Sequence, residues 1–203
     1  MTRKLPLIGT IILSTLMLNR LEAPQVPQPP NSYGYPRVYF KNTKLNSLEN
    51  KLDDFYAFYD QSDFKTSDFK EDSDRVLLAR LILGEAENCS ETEKIAIAYT
   101  SLNRLKEGYG KTLKDVILSP YQYSCFNNGT KSSKFLKNPL KHDAKEFFIS
   151  LIIAEGILHG KYKDPTNGAT HYYNPSLVNK PTWVNSLTKV NGLNDNYYHL
   201  FFK

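Results

Sequence analysis

The sequence contains few of the residues that build disulfide frameworks and metal centres. It has two cysteines, Cys89 and Cys125, and four histidines among 203 residues. A scaffold held together by several disulfides is therefore excluded, although these two cysteines could form one disulfide in an oxidising compartment or stay free thiols. Because the cysteines lack the spacing of a zinc site and the histidines show no paired ligand pattern, we expect no metal and no cofactor.

A long hydrophobic run is absent as well, and the mean hydropathy is −0.48. The apolar run at Leu5–Leu18 has 14 residues, which is short for a transmembrane helix but suits a secretory signal. Ala23 could end a cleavage site, but Pro24 should hinder a signal peptidase. We therefore predict that residues 1–23 are a signal peptide or an N-terminal membrane anchor. The protein is then exported to the periplasm or cell envelope, either free or anchored to the inner membrane.

Acidic residues are scarce in the C-terminal part of the chain. Residues 75–203 hold 17 Lys and Arg against 11 Asp and Glu, a net charge of +6, whereas residues 24–74 hold 6 against 9, a net charge of −3. A basic domain favours an anionic polymer as partner, such as nucleic acid, a membrane surface or an anionic cell wall. The lysines are scattered and no nucleic-acid-binding motif is present, so we expect no nucleic-acid partner.

We predict that residues 24–74 form an arm that precedes the main domain in the chain. Residues 24–36 are rich in proline and predict an extended spacer. The charged stretch that follows places leucines and aromatic residues at helical spacing between Leu45 and Tyr59, which predicts one amphipathic helix.

Residues 75–203 carry the signals of a mostly helical domain. Helices are predicted over about 74–86, from 91 to before Gly108, over 112–119 and from 144 to before Gly160. Their starts are marked by Ser73 or Asp74, a Ser90–Glu93 capping box, and Asp143.

The residue pattern changes from helical to strand-like after the last predicted helix. An Asn167–Gly168 turn precedes the aromatic run at 171–173, and the closing "NYYHLFF" has the same strand-like pattern. We therefore predict an α+β fold that is mostly helical, with a small β-element near the C terminus. A long irregular segment lies between Asn174 and Tyr197.

Glu85 stands at the end of the apolar stretch "RVLLARLILGEAENC". A buried carboxylate without a partner is costly, and desolvation raises the pKa of a carboxyl group. Arg80 lies five residues earlier, about 140° around the helix, and is not expected to pair with Glu85. Glu85 is therefore either a solvated helix end or an acid tuned by its surroundings.

Four stretches resemble the SleB-type cell-wall hydrolase family, the spore-cortex-lytic enzymes and their relatives. They are "LARLILGEA" at 78–86, "IAIAYTSLNRL" at 95–105, "LKDVILSPYQYSCF" at 113–126 and "DPTNGATHYYNP" at 164–175. The resemblance covers most of residues 75–203 and none of residues 1–74. It implies a lysozyme-like catalytic domain that cleaves the glycan strands of peptidoglycan, usually as a lytic transglycosylase. A spore-germination enzyme, a wall-remodelling enzyme and a phage lysis or entry enzyme all stay open, and the signal-like N terminus would also suit the releasable anchor of some phage endolysins.

The resemblance implies that Glu85 is the catalytic acid. Cleavage of a glycosidic bond needs a group that protonates the leaving oxygen. In the transglycosylase route the same glutamate then takes the proton of the muramic acid 6-hydroxyl, so a second carboxylate is not needed. Glu87 and Asp164 are the nearby candidates for such a second acid, and we predict that both are surface residues.

A glycan groove needs flat aromatic faces and amide groups. We predict as its lining Gln122, Tyr123, Tyr172 and Asn174. Because side chains alternate along a strand, only one of Tyr172 and Tyr173 can face the groove. We expect Asn103 to support helix packing and Trp183 to fill the core.

Three alternatives stay open. The first is a muramidase-type hydrolase that cleaves the same bond with water. The second is a non-catalytic module that binds cell-wall glycan through an aromatic groove. The third is a cysteine peptidase, because Cys125, His171 and Asn174 occur in the chain order of papain-like enzymes, although this cysteine lies in a loop rather than at a helix start.

Overall fold

The computed structural model of the protein describes residues 67–193 and 196–203. The predicted signal or anchor at 1–23 and the predicted helix between Leu45 and Tyr59 lie outside these residues. In this part of the chain, every helix is too short or too polar to cross a membrane. The elements are α1 Asp74–Ala86, α2 Glu91–Lys106, α3 Leu113–Leu118, α4 Lys131–Leu136, α5 Pro139–Leu158, β1 His171–Tyr173 and β2 Leu200–Phe202, with short 3-10 helices at Ser124–Phe126 and Thr182–Ser186.

Helix α1 lies at the centre of the domain. Every residue from Val76 to Leu83 is fully buried, as expected of a helix that is apolar on all sides. It packs mainly against α5, whose buried face includes Phe147 and Ile153, and also against α2. Burial of each large aliphatic side chain contributes about 1.5–3 kcal/mol, so α1 fixes the position of whatever stands at its C-terminal end.

Arg80 is the charged residue inside this core. Its Nε lies 2.8 Å from Oδ2 of Asp72, and its Nη1 donates to the carbonyl of Leu136. The expectation that Arg80 does not serve Glu85 is confirmed. Phe69 packs on this domain, with its ring at a centroid distance of 5.1 Å from the Phe126 ring in an edge-on arrangement.

The helix starts predicted from local caps are largely confirmed. Ser73 Oγ accepts from the Val76 N–H, and Thr112 and Asp115 form a complete capping box for α3. Asp143 Oδ1 accepts from the Glu146 N–H at 2.9 Å. Asp143 also has non-helical dihedral angles, so α5 consists of two helical segments that meet there.

The Ser90–Glu93 capping box is correct only in its first half. Ser90 Oγ accepts from the Glu93 N–H at 3.3 Å. The Glu93 carboxylate turns into the interior instead of back to Ser90, and it accepts from the His199 N–H at 2.9 Å. Here a tertiary contact replaces the local one.

The β-element is a two-stranded antiparallel sheet. The pairs are His171–Phe202, Tyr172–Phe201 and Tyr173–Leu200. Asn167 and Gly168 both have positive φ, at 51° and 98°, which confirms the predicted turn. Residues 174–193 and 196–197 are irregular apart from the 3-10 helix and an isolated bridge between Lys189 and Phe202. The mostly helical α+β fold with a small C-terminal β-element is therefore confirmed.

Candidate active site

Glu85 is held from three sides at the end of α1. Its Oε1 accepts from Ser124 Oγ at 3.2 Å and from the Cys125 N–H at 3.1 Å, and its Oε2 accepts from the Tyr172 hydroxyl at 3.0 Å. Both carboxylate oxygens thus meet hydrogen-bond donors, rather than the apolar surroundings that the helix pattern suggested. The half-buried Glu85 is not a freely solvated helix end.

Gly84 allows this arrangement because the Cys125 loop presses directly against α1. A Cβ added at Gly84 would lie 2.6 Å from Cys125 Cβ and 2.8 Å from its Sγ. Any side chain at 84 would therefore push away the segment whose N–H binds Glu85. The glycine before the glutamate is needed for close approach of the two segments.

Tyr172 of β1 connects the sheet to Glu85. Its ring lies 5.9 Å from the Phe201 ring and 5.3 Å from the His199 ring, while its hydroxyl contacts Glu85. Burial and the negative charge of Glu85 raise the pKa of Tyr172 well above its ordinary value, so the hydroxyl keeps its proton and can donate. Tyr173 stacks on Phe202 instead. Only one of the two tyrosines faces Glu85, as the strand alternation predicted.

The prediction that Tyr123 lines a groove is wrong. Its side chain is 2 % exposed and lies under the guanidinium of Arg104, which is 4.9 Å from the ring centroid. Gln122 is exposed, so its amide can reach a ligand. Asn174 is half-buried, and its Oδ1 accepts from the Ser176 N–H at 2.9 Å, which leaves its amide nitrogen for another partner.

The two other acids near the site have partners of their own. Glu87 Oε1 lies 2.8 Å from His142 Nε2 near the surface. Both acids are half-buried, rather than the exposed surface residues that were predicted. Asp164 accepts from the Gly168 N–H at 2.7 Å and from Asn103 Nδ2 at 2.9 Å. Asp164 therefore stabilises the turn before β1. Asn103, which was expected to support helix packing, instead links α2 to this turn through Asp164 and the Ala169 carbonyl.

Both cysteines are free, so the disulfide left open by the sequence is not formed. Cys125 packs against Gly84, whereas Cys89 lies beside the start of α2. Burial and the charge of Glu85 raise the pKa of the Cys125 thiol well above its ordinary value. A peptidase nucleophile needs the opposite shift of its pKa, so this environment does not suit a cysteine peptidase.

Trp183 packs in an aromatic cluster beside the sheet. Its ring lies 5.0 Å from His171 and 5.4 Å from Phe202, and it is half-buried. The expected packing role is therefore found, but in a small peripheral cluster and not in the main core.

Sequence reasoning did not select Ser124 or the backbone N–H of Cys125. Both lie in "PYQYSCF", next to the aromatic residues that drew attention as glycan contacts. The hydroxyl of Ser124 in that block was the sequence feature that could have identified it as a partner of a carboxylate. Its partner Glu85 lies 39 residues away, so no local pattern joins them.

Residues 88–202 match the protein family described as Cell Wall Hydrolase. The matched span contains Ser124, Cys125 and Tyr172 and begins three residues after Glu85. No curated protein matches the sequence.

Among solved structures, the chain is similar to the catalytic domain of the germination-specific lytic transglycosylase SleB from Bacillus anthracis. The sequence identity is 18%, the alignment covers 64% of this chain and 93% of that chain, and the TM-score is 0.45. The catalytic domain of the Bacillus cereus SleB protein gives 20% identity, coverage of 64% and 89%, and a TM-score of 0.43.

Proposed function

We propose that the chain, which belongs to the cell wall hydrolase family, is a peptidoglycan glycosidase that cleaves glycan strands as a lytic transglycosylase. Glu85 is its single acid and base in this proposal. The products would carry anhydro-muramoyl ends.

The observation that carries the proposal is one carboxylate, fixed by three donors, with the neighbouring acids engaged elsewhere. Glycosidases that use water normally need two carboxyl groups about 5–9.5 Å apart across the bond. Among the residues that the structure describes, Glu87 pairs with His142 and Asp164 holds a turn. This arrangement favours a route in which Glu85 acts twice.

The reaction then proceeds in two proton transfers through Glu85. Protonated Glu85 gives its proton to the oxygen that links muramic acid C1 to the next sugar, and the C1–O bond breaks. The muramic acid 6-hydroxyl bonds to C1, and its proton goes to Glu85. The glutamate is restored, no water is consumed, and the new end is a 1,6-anhydro ring.

The three donors suggest which oxygen moves the proton. Oε1 already accepts two hydrogen bonds, from Ser124 and from the Cys125 N–H. Oε2 accepts one, from Tyr172. A hydroxyl can donate to an ionised oxygen or accept from a protonated one, so Tyr172 can serve both states. We assign proton transfer to Oε2 and anchoring to Oε1.

Substrate binding would use the surface beside these groups. Gln122 and the amide nitrogen of Asn174 can hydrogen-bond N-acetyl or hydroxyl groups, and Tyr121 offers a ring that is 88 % exposed. Tyr172 borders the same place through its contact with Glu85. The net charge of +6 over residues 75–203 favours an anionic wall.

Export is part of the proposal, because peptidoglycan lies outside the cytoplasmic membrane. The apolar run at Leu5–Leu18 would direct it, as a cleaved signal or as an anchor.

The test is a digestion of purified peptidoglycan by the full-length chain in ¹⁸O-labelled water, followed by mass spectrometry of the soluble fragments. We expect ends one water lighter than reducing ends, without ¹⁸O, and absent with Glu85→Gln. Reducing ends that carry ¹⁸O would make the enzyme a hydrolase instead. Fragments that persist with Glu85→Gln would overturn the role of Glu85. Binding to the wall without any fragments would indicate a glycan-binding module.

A further inference from the structure

A cysteine, a glutamate and a histidine meet on the side of the domain where β2 packs against α2. Ligand atoms of Cys89, Glu93 and His199 all lie within 4.8 Å of one another. Cys89 precedes the N-cap of α2, Glu93 lies in the first turn of that helix, and His199 directly precedes β2. Such a set of thiol, carboxylate and imidazole is not used by the proposed glycan chemistry.

Glu93 is the unusual member of this cluster. Its side chain is fully buried. Oε1 accepts from the His199 N–H at 2.9 Å and lies 2.8 Å from His199 Nδ1. Oε2 is also buried and has no nitrogen or oxygen donor among the residues that the structure describes, although the Cys89 thiol hydrogen-bonds to the Glu93 carboxylate. A buried carboxylate oxygen without a donor is rare and calls for a partner.

The nearest cation along the helix does not fill this gap. Lys94 points to Glu146, with Nζ 2.6 Å from Oε2 of that residue. Glu93 is therefore left with an imidazole, a thiol and a vacant acceptor position.

We propose that Cys89, Glu93 and His199 bind a divalent metal ion with the ligand preferences of Zn²⁺. Thiolate sulfur, imidazole nitrogen and carboxylate oxygen are the ligands that Zn²⁺ takes, whereas Ca²⁺ and Mg²⁺ prefer oxygen alone. One thiolate and one carboxylate balance the two positive charges of the ion. The bond from the His199 N–H to Oε1 orients the Glu93 carboxylate in this cluster.

The thiol must lose its proton when the ion binds. The Cys89 thiol lies beside the buried Glu93 carboxylate, and it would bind the ion as a thiolate. Displacement of that proton by the metal is the usual course at thiolate sites. Binding should therefore release protons.

The bound ion would act as a structural clamp. It would join the segment before β2 to the start of α2, two parts of the chain that are separated by 106 residues. The His199 ring lies edge-on to Tyr172, and Tyr172 contacts Glu85. An ion at this place would thus support the wall of the active site without touching the substrate.

The sequence led us to expect no metal, because its cysteines and histidines show no ligand spacing. A site formed by residues 89, 93 and 199 has no such spacing to detect. The proposal does not depend on the glycan reaction.

The test uses Co²⁺ as a spectroscopic probe on the reduced, metal-stripped, full-length chain. We expect one equivalent of Co²⁺ to give a sulfur-to-cobalt charge-transfer band, and Zn²⁺ to displace it. Cys89→Ser should abolish the band and His199→Gln should weaken it at least tenfold. His142→Gln should leave it unchanged, because His142 makes the same 2.8 Å contact with Glu87 but has no thiol beside it.

The second thiol provides a control that does not depend on how well Cys89→Ser folds. Because the chain has two cysteines, a band that persists in Cys125→Ser must come from Cys89. In that variant and in the natural chain, Zn²⁺ at a hundredfold excess over its Kd should raise the unfolding midpoint by several degrees.

Three results would overturn the proposal. They are a natural chain without a charge-transfer band, a band that survives Cys89→Ser, and a band that is lost in a folded Cys125→Ser variant. The cluster would then be a buried hydrogen-bonded group only.

Discussion

Replacing Gly84 with alanine tests whether the close approach of the Cys125 loop to α1 shapes the active site. The added Cβ would stand 2.6 Å from Cys125 Cβ and 3.0 Å from Leu136 Cδ1, so the loop would have to retreat by about 1 Å to reach ordinary packing distances. Overpacking of this kind costs about 1–3 kcal/mol. The gain in helix propensity from glycine to alanine offsets about 1 kcal/mol of this cost. The net loss of unfolding free energy should lie between about 0 and 2 kcal/mol.

Activity should suffer more than stability. A retreat of about 1 Å would stretch the bond from the Cys125 N–H to Glu85 beyond hydrogen-bonding range, and a misplacement of that size can cost about 100-fold in rate. We expect peptidoglycan cleavage to fall about 10- to 100-fold while urea unfolding shows a mostly folded protein.

Gly156→Ala is the matched control for this substitution. It also adds a methyl group inside a helix against a tight neighbour, since its Cβ would lie 2.4 Å from Tyr162 Cε2. Tyr162 makes none of the hydrogen bonds to Glu85, so this variant should lose stability and keep its activity per folded molecule. If Gly84→Ala retained full activity and stability, the argument from close approach would be wrong.

Three further predictions concern the hydrogen bonds, the buried ion pair and the thiols. Tyr172→Phe keeps the ring but removes the hydroxyl that donates to Glu85. Because a hydrogen bond to a charged group contributes about 1.5–3 kcal/mol, kcat should fall about 10- to 100-fold. An unchanged kcat would show that Tyr172 takes no part in the proton transfer. Asp72→Asn removes the negative charge beside the buried Arg80 guanidinium and should lower the free energy of unfolding in urea by about 3–5 kcal/mol. Glu87→Gln near the surface should change it by less than about 1 kcal/mol, and equal losses in the two variants would contradict this reasoning. Iodoacetamide at neutral pH should leave cleavage intact, because burial keeps the Cys125 thiol protonated, and inactivation in step with Cys125 labelling would revive the cysteine-peptidase alternative.

The sequence predicted most helices correctly because their caps are local. Ser73, Thr112 and Asp143 each bind a backbone N–H three residues ahead, and this geometry needs no knowledge of the rest of the fold. Helix α4 was missed, since Thr130 caps it inside a polar stretch with little apolar periodicity. Its Leu136 nevertheless fills the core.

The surroundings of Glu85 could not be predicted in the same way. Ser124 and Tyr172 reach it across 39 and 87 residues, and these distances along the chain leave no periodic trace. The burial of Tyr123 was also not predictable from the sequence, because aromatic residues occur both in hydrophobic cores and in glycan-binding grooves. Its position is determined by packing beneath Arg104 of α2.

Glu93 shows a tertiary contact that overrides a local rule. Its spacing from Ser90 is that of a capping box, yet the carboxylate pairs with His199 from the far end of the chain. A residue that departs from its expected local role in this way draws attention to a site, and here it led to the metal proposal.

The central claim is that Glu85 carries the chemistry, and the neighbouring Glu87 gives the most direct comparison. Glu85→Gln and Glu87→Gln change the same group two residues apart, one in the site and one paired with His142 at the surface. The measurement is the rate of clearing of a peptidoglycan suspension by the two variants and the natural chain. Loss of a general acid should slow cleavage by about 10²- to 10⁴-fold in Glu85→Gln, while Glu87→Gln should stay within about twofold of the natural rate. A Glu85→Gln variant that clears the suspension as fast as Glu87→Gln would contradict the account.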